Sequence, residues 1–446
     1  KLTFRISVPS GGVLNFEQYN IAAKPGVTKQ NGFTTYTWVL TDLPATTRED
    51  FRPREQQNRP RIVFVGSTKA TDPMVGFASQ DAFKCEAGAE IKQAASEAVK
   101  GIDKPLLKTL KLQEKIVAEF NTWQVPMQYT GYKLQNAAAT WKSNGGSEAE
   151  KVVLLAAMLK SVNIQAEPVA VVAEKLYVNK TASPALIDRT LVKVSIQGMD
   201  PLYLSATQVD LQDLRFQLAG KRIISLVPGK KLMSEVLPEA KNQLSVSGNL
   251  TLDPSLTLAG NLNLEIGGRL NPWLRMQKDT TYTTGFLSGL LGGGKVNKVA
   301  KGKTDLDLSS FSYNISTASL ASETGGHVFL KLPSATVGSE SWHMTELVST
   351  RTESLEIPFA ISESYDMFIT IPEGMMVVTA PAVLNLANDF GSVNTSVTVE
   401  GNQLHVVRKL NIVQTQVPVA KYEAFKAMIN AWNSRKYREV VLKKSN

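Results

Sequence analysis

The sequence contains a single cysteine, Cys85, among 446 residues. One cysteine cannot form an intrachain disulfide, so the chain is not a disulfide-framed domain. It also lacks any run of about 18 apolar residues, the length that a transmembrane helix needs. The excess of one charge sign over the other is small. Charged residues make up 20% of the chain, and the net charge of +9 is spread along it. Such a weak, dispersed charge gives no indication of nucleic-acid binding.

Histidine is almost as rare as cysteine. The three histidines are His327, His343 and His405, and residues 1–326 contain none. A cysteine–histidine pair for nucleophilic catalysis therefore cannot form within that range. Cys85 itself is predicted to be a packed thiol. No zinc site is expected, because the histidines are widely spaced and have no second cysteine, and no other cofactor is predicted.

What the chain does have is apolar residues, 43% of the total, enough for several cores. Its hydrophobic patterns predict a multi-domain α+β protein. Residues 1–74 alternate as strands at 2–8, 33–40 and 61–65. These strands are too few for a closed sandwich, so we interpret them as the C-terminal part of an N-terminal β domain. We expect earlier strands, or a targeting segment, ahead of Lys1.

The pattern changes to helical and then mixed over residues 75–214. Helices are predicted over 78–100 and from Pro105 to about Phe120. From 215 to 446 the chain is again a succession of β runs separated by turns, typical of a β-sandwich. The run 256–266 alternates strictly, and residues 418–433 form a short amphipathic helix pattern.

The most informative segment begins at Ser147. Ser147 and Glu150 form a capping-box pattern, in which each side chain bonds the other's backbone amide at the start of a helix. The helix that follows is apolar nearly all round from Val152 to Leu159, so it should be buried on most sides. β runs at 167–178, 190–196 and 202–204 come next. The segment therefore predicts a buried helix against an antiparallel sheet.

Residues 138–172 carry a family resemblance. The stretch Gly145-Gly-Ser-Glu-Ala-Glu-Lys-Val-Val-Leu-Leu-Ala-Ala-Met-Leu159, followed by Asn163-Ile-Gln-Ala-Glu-Pro-Val169, resembles the core of bacterial transglutaminase-like proteins. These belong to the papain-like cysteine protease superfamily. Their pattern is Gly-x-Cys-x-Asp, a Leu/Ala-rich helix and then Gly-Ile-x-Ala-x-Pro-Val. The flanking regions resemble the β domains that surround this core in a group of such proteins.

The resemblance implies a Cys–His–Asp triad, and the sequence departs from it at every position. Glu148 aligns with the nucleophilic cysteine, or Ser147 if the alignment shifts by one residue. Arg189 takes the place of the histidine, or Asp188 in the shifted alignment, and Ser205 takes the place of the aspartate. A negative and a positive side chain would keep the polarity of a thiolate–imidazolium pair. One hypothesis is therefore an ion pair between Glu148 and Arg189; the alternative is that both are ordinary surface charges.

The sequence leaves three functions open. The leading one is a catalytically degenerate protein, a pseudoenzyme, that acts as a binding or scaffolding module for a protein, peptide or glycan. The resemblance implies a bacterial cell-envelope, periplasmic or secreted location, near a membrane but without a spanning segment. The alternative is a protease or amidase of the family that acts through Ser147 or Glu148. The third is a structural protein whose core is a spacer.

Two further patterns were weighed. Gly289–Lys295 fits the Gly-x4-Gly-Lys frame of a phosphate-binding loop, but Val296 stands where Ser or Thr should bind magnesium. We interpret it as a flexible loop. Aromatic residues also precede the Ser147 segment and are expected to be core or the wall of a cleft: Trp123, Tyr129, Tyr132 and Trp141.

Overall fold

The structure is a computed structural model. It describes residues 1–42, 49–53, 60–66, 72–174, 182–209, 214–229, 232–344, 347 and 350–444. The chain forms two compact units. The first comprises Lys1–Thr46 and Glu55–Glu239, and the second comprises Thr47–Arg54 and Ala240–Asn446. Within the described ranges, no helix is long and apolar enough to cross a membrane.

The first unit begins with a small β region. Its strands are β1 (Leu2–Pro9), β2 (Asn15–Tyr19), β3 (Gly26–Gln30), β4 (Phe33–Leu40) and β5 (Arg61–Val65). They form a three-stranded sheet of order β1-β4-β3 and a separate β2-β5 pair. Trp38 is fully buried and donates a hydrogen bond to Gln18 Oε1 at 2.8 Å. The strands predicted from alternation at 2–8, 33–40 and 61–65 are confirmed.

Helices dominate the next part of the first unit. They are α1 (Asp72–Ala78), α2 (Ala89–Ala98), α3 (Pro105–Glu119), α4 (Ala137–Lys142) and α5 (Glu148–Ser161). The helix predicted to begin at Pro105 is confirmed, with proline in the first turn, where its missing N–H costs nothing. The stretch 78–100, predicted to be helical, contains a 3-10 helix at Asp81–Lys84 and then α2, and Cys85 between them has a left-handed conformation with φ of 55°.

Helix α5 is the centre of this unit, and every side chain from Ala149 to Leu159 is buried. Two short strands, β6 (Asn121–Thr122) and β7 (Gly145–Gly146), pair in parallel just before it. It packs against a five-stranded sheet of order β10-β9-β8-β11-β12. The strands of that sheet are β8 (Gln165–Ala173), β9 (Ile187–Ser195), β10 (Leu202–Leu204), β11 (Lys221–Ser225) and β12 (Ser234–Val236).

The sheet extends beyond the domain boundary predicted at residue 215. Strand β11 pairs with β8, and β12 pairs with β11. These strands therefore complete the core sheet instead of opening the C-terminal domain, and the first unit ends at Glu239. The same unit also holds most of residues 1–74, which the sequence assigned to a separate domain.

The second unit is mostly β. Its larger sheet has eight strands in the order β15-β16-β14-β13-β20-β24-β23-β22, and a smaller sheet has the order β17-β18-β26-β21. The strands are β13 (Gln243–Leu252), β14 (Leu258–Gly267), β15 (Lys295–Thr304), β16 (Leu308–Thr317), β17 (Ala321–Thr324), β18 (His327–Lys331), β19 (Leu355–Glu356), β20 (Ile361–Thr370), β21 (Met375–Thr379), β22 (Leu384–Asn388), β23 (Gly391–Glu400), β24 (Gln403–Ile412), β25 (Gln416–Val417) and β26 (Glu439–Lys444). Its helices are α6 (Trp273–Lys278), α7 (Tyr282–Leu290) and α8 (Tyr422–Asn433).

The eight-stranded sheet consists of two antiparallel halves. Strand β13 runs parallel to β20, and this is the one parallel pairing that joins the halves. Apolar side chains of the inner face, of the smaller sheet and of α8 form one core that includes Phe425 and Trp432. The predicted helix over 418–433 and the alternating strand at 256–266 are therefore confirmed.

Candidate functional site

The predicted capping box at the start of α5 is confirmed. Ser147 Oγ accepts from the Glu150 amide at 3.4 Å, and Glu150 Oε2 accepts from the Ser147 amide at 2.8 Å and from Ser147 Oγ at 2.9 Å. The other oxygen, Glu150 Oε1, accepts from the Gln135 amide at 2.9 Å. The buried carboxylate thus fixes both the helix start and the end of the segment before α4.

Glu148, which the sequence resemblance aligns with a nucleophilic cysteine, has Thr190 as its partner. Glu148 Oε1 accepts a hydrogen bond from the Thr190 amide and another from Thr190 Oγ1, at 3.0 Å. Thr190 is buried on β9, whereas Glu148 is half-buried. The start of α5 is therefore joined to the neighbouring strand by a carboxylate–hydroxyl contact.

The predicted ion pair between Glu148 and Arg189 does not form. Successive residues of a strand point to opposite faces. Because Thr190 faces α5, Arg189 faces the other side of the sheet, in register with Val171 and beside Leu191. Both of those residues belong to the apolar cluster that covers that other face. Asp188 is exposed and is the extra residue where the β8–β9 register shifts, so alternation does not assign it to a face.

Ser205, the third aligned position, makes its hydroxyl hydrogen bonds within its own loop. It is fully buried directly after β10. Its hydroxyl accepts from the amides of Thr207 at 3.1 Å and Gln208 at 3.3 Å, and its carbonyl accepts from Gln113 Nε2 at 2.9 Å. The hydroxyl therefore caps a turn, and the three aligned positions do not form one hydrogen-bonded triad.

Cys85 is a packed thiol, as predicted. It is 2% exposed, and its Sγ donates to the Phe83 carbonyl oxygen at 3.3 Å. Burial raises the pKa of the Cys85 thiol to about 11, although the Lys160 charge lowers it in part. A reactive cysteine needs a lowered pKa and access to solvent, and Cys85 has neither.

The histidines all lie in the second unit. His405 Nε2 lies 2.8 Å from Asp366 Oδ1, and His405 stacks on Phe368 with a centroid distance of 4.3 Å. His327 Nδ1 lies 3.1 Å from the Gly325 carbonyl oxygen, and His343 ends a short 3-10 helix. No group of three metal-ligating residues is found in the part of the chain that the structure describes.

Sequence reasoning missed a buried lysine next to the site. Lys151 is 1% exposed, and its Nζ donates to the Phe120 carbonyl oxygen at 2.7 Å and to Thr122 Oγ1 at 3.0 Å. Burial lowers the pKa of Lys151. The signal was present in the sequence, because Lys151 directly precedes a helix segment that is apolar on every side.

The aromatic residues before the site divide into two kinds. Trp141 packs on Phe120 with a centroid distance of 5.3 Å. By contrast, Trp123 is 39% exposed and Tyr129 is 78% exposed. The Trp123 amide donates to the Gly146 carbonyl oxygen at 2.9 Å, so this exposed indole sits directly beside the capping box.

The segment that carries these aromatic residues is anchored at both ends. Gln80 Nε2 donates to the Tyr132 carbonyl oxygen at 2.9 Å, and Gln80 Oε1 accepts from the Leu134 amide at 3.0 Å. Glu150 holds Gln135 as described above. The segment 121–135 is therefore a fixed wall next to the start of α5.

The loop at Gly289–Lys295 is flanked by a helix and a strand in the opposite order to a phosphate-binding loop. A phosphate-binding loop connects a strand to the helix that follows it. Here the loop follows helix α7 and leads into strand β15. Its Gly292 and Gly293 have positive φ of 83° and 99°, and the Ser288 hydroxyl donates to the Gly294 carbonyl oxygen at 2.5 Å. It is a connection between two elements of the second unit.

The strands and helices define a mixed α+β protein. Over 99% of this chain, the fold is similar to that of a "putative protease" from Parabacteroides distasonis, with a TM-score of 0.68, 21% identity and coverage of 72% of that protein. At this identity the likeness shows the fold alone. A "putative cysteine protease" from Cytophaga hutchinsonii is 12% identical, with a TM-score of 0.23 over 52% of this chain and 92% of that one.

Sequence comparison adds one match. Residues 327–442 match the model of a domain of unknown function with a solved structure, DUF3858. The match begins at β18 and ends within β26, inside the second unit. No curated protein matches the chain.

Proposed function

We propose that this chain is a protease-like protein whose transglutaminase-like core binds peptide segments at the start of α5 and does not cleave them by cysteine chemistry. The fold shared with the Parabacteroides protein supports the protease-like class. The observation that carries the non-catalytic part is Cys85, which is 2% exposed and has a thiol pKa of about 11. We also propose a cell-envelope location, which rests on the family resemblance alone.

The aligned positions support the same proposal. A thiolate at the start of a helix is a nucleophile, but Glu148 presents a carboxylate there that already accepts two hydrogen bonds from Thr190. No imidazole is available in the first unit, because all three histidines lie in the second. The site therefore keeps the shape of a nucleophile position without the group that would attack a carbonyl carbon.

The wall beside this position is suited to binding. Trp123 and Tyr129 present large exposed apolar surfaces on a segment that Gln80 and Glu150 hold in place. Rigid aromatic side chains give contact area at a low entropic cost, which is why they recur in peptide-binding sites. A peptide that lies along the wall would pass the half-buried carboxylate of Glu148.

The test uses the full chain with fluorescein-labelled casein and its tryptic peptides. Fluorescence anisotropy reports binding, and release of small labelled fragments reports hydrolysis. We expect binding without hydrolysis, with about tenfold weaker binding for Trp123→Ala, since burying an aromatic ring contributes on the order of 1.5 kcal/mol or more. Phe33→Ala is the matched control, because Phe33 is an exposed aromatic residue of the β1-β4-β3 sheet. Unchanged binding in Trp123→Ala would contradict the proposed site.

Hydrolysis is the second candidate function, and the comparison favours it, since the structural neighbour is described as a protease. The residues that could support it are Ser147 and, one turn further along α5, Lys151 with its lowered pKa. Fragment release that disappears in both Ser147→Ala and Lys151→Met would establish this candidate. Fragment release that disappears in Cys85→Ser would instead restore cysteine chemistry, and the proposed non-catalytic function would fail.

A further inference from the structure

The outer face of the eight-stranded sheet has an unusual composition. After the first residue of β13 and of β16, every second residue is a serine, threonine or asparagine, for example Ser245, Ser247 and Asn249 in β13. Their neighbours point inward and are buried, as the alternation along a strand requires. The outer side chains are half-buried or exposed, so this face is in contact with solvent.

Charge is sparse on this face except along the edge strand β15, which carries Lys295, Lys298, Lys301 and Lys303. On the seven strands from β16 to β22, the outward-facing charged residues are Glu265, Asp366, Lys409 and Glu400. Asp366 is partnered by His405, and Glu400 stands at the very end of β23. Ordinary solvent-exposed surfaces carry many more charges of both signs. On these seven strands the sparse charges give little attraction for a charged partner, whereas the many neutral polar side chains suit a neutral ligand.

Register places like side chains side by side across the strands. Asn314 of β16 pairs with Asn261 of β14, which pairs with Asn249 of β13. Asn249 pairs in turn with Phe368 of β20, and Phe368 with His405 of β24. We name these five residues the asparagine row. At a strand spacing of about 4.8 Å, the row is roughly 19 Å long.

An aromatic platform stands at one end of the asparagine row. Phe368 is 37% exposed, and its ring is nearly parallel to that of His405, with an interplanar angle of 9°. The Asp366 carboxylate fixes the imidazole by the 2.8 Å contact at Nε2. A held aromatic ring next to amide side chains offers a stacking surface and hydrogen-bond donors and acceptors in one plane.

From this arrangement we propose that the outer face of the eight-stranded sheet is a binding surface for a neutral glycan, which lies along the asparagine row and stacks on Phe368. Sugars present hydroxyl groups, which asparagine amides both donate to and accept from, and apolar ring faces, which pack on aromatic rings. Neutral glycans carry no charge, in agreement with the composition of the face. This surface lies in the second unit and does not depend on the peptide site proposed at α5.

The experiment is isothermal titration calorimetry of the full chain with laminarin, yeast mannan and dextran as neutral probes and heparin as an anionic one. The salt concentration is about 0.15 M, at which exposed charges are screened beyond about 8 Å. We expect at least one neutral polymer to bind. Phe368→Ala should weaken that binding roughly tenfold, and Asn249→Asp should weaken it severalfold, because it places a charge in the neutral row.

Val399→Ala is the matched control. Val399 is also an exposed apolar residue near the end of a strand, but it pairs with the buried Leu404 and so lies on the inner side. The Val399→Ala variant should bind the neutral polymer as tightly as the unmodified chain does. Circular dichroism and thermal melting establish whether each variant folds. If Phe368→Ala does not fold, Asn249→Asp still decides the test.

Four results would overturn the proposal. None of the three neutral polymers binds; heparin alone binds; binding persists unchanged in both Phe368→Ala and Asn249→Asp; or light scattering shows a dimer that the same two variants dissociate. The last would mean that a second copy of the chain covers the face.

Discussion

Replacing Glu150 by alanine removes the acceptor that fixes the start of α5. The carboxylate accepts three hydrogen bonds, from the Ser147 amide, the Ser147 hydroxyl and the Gln135 amide. A hydrogen bond to a charged group contributes about 1.5 kcal/mol or more, so the three together amount to roughly 4.5 kcal/mol. Water can replace part of this, because Ser147 is half-buried and Gln135 is exposed. We expect Glu150→Ala to lower the free energy of unfolding of the first unit by about 3 kcal/mol.

The Ser147 hydroxyl should contribute less. Ser147→Ala removes a helix cap whose distance to the Glu150 amide is long, at 3.4 Å, and the expected cost is about 1 kcal/mol. The double variant should cost more than Glu150→Ala alone, because the amide of residue 150 remains in that variant and keeps the Ser147 cap. Only the bond from the Ser147 hydroxyl to Glu150 Oε2 is lost in both single variants, so the coupling energy from the double-mutant cycle should be smaller than about 1 kcal/mol.

The assay is hydrogen exchange of the α5 amides in increasing urea. The chain has two compact units, so a single global unfolding curve would not isolate the first. Glu90→Ala is the matched control: Glu90 is an exposed glutamate in the first turn of α2, and its loss should cost less than about 0.5 kcal/mol. If Glu150→Ala and Glu90→Ala destabilise their helices equally, the reasoning from the buried carboxylate is refuted.

Three further outcomes follow from buried groups. With a thiol pKa of about 11, Cys85 should resist iodoacetamide in the native chain near pH 8 and react once urea unfolds it; fast native labelling, followed by mass spectrometry, would contradict this. Because burial lowers the pKa of Lys151, the unfolded chain binds more protons between that lowered pKa and 10.5, so stability should rise with pH across this window. Lys151→Met should flatten the rise in urea midpoints, and an identical slope in both proteins would count against the buried amine. Tyr365→Phe removes a buried hydroxyl that donates to Glu363 at 2.6 Å and accepts from a buried amide at 2.8 Å. Thermal melting should therefore show a loss of about 2 kcal/mol in the free energy of unfolding. Tyr129→Phe, at an exposed position, should show no loss.

Local signals in the sequence predicted local structure well. The Ser147–Glu150 capping box and the apolar run after it gave α5 its start and its burial, since both depend on residues within a few positions of each other. Strict alternation likewise predicted the strand at 256–266, observed as Leu258–Gly267. The helix from Pro105 was found for the same kind of reason.

The partner of Glu148 could not be predicted in this way. Thr190 and Arg189 are adjacent, and which of them faces α5 depends on the register of β9 against β8. A one-residue change of register turns every side chain of a strand to the opposite face. The alignment placed Arg189 at the histidine position, before the Val/Ile-rich strand, whereas the strand presents Thr190 to α5.

The domain boundary at 215 was predicted from local patterns, but the sheet that a strand joins is not a local property. Strands β11 and β12 read as ordinary β runs, and nothing in their own residues tells which sheet they join. Their place beside β8 is set by pairing across about 50 positions of sequence, as between Ile223 and Val171. The domain division of residues 1–74 and 75–214 stays a prediction.

The parallel pairing of β13 with β20 crosses the edge of the region that matches the domain model. The match begins at His327, so it includes β20 and excludes β13. A fragment limited to 327–442 would keep the strands β20, β24, β23 and β22 but would leave the β13-facing backbone of β20 without its partner from Gln243 to Thr251. Such an open edge recruits another strand. A gene fragment drawn at the family boundary should therefore self-associate, whereas one that starts at Ala240 carries the missing half of the sheet with it.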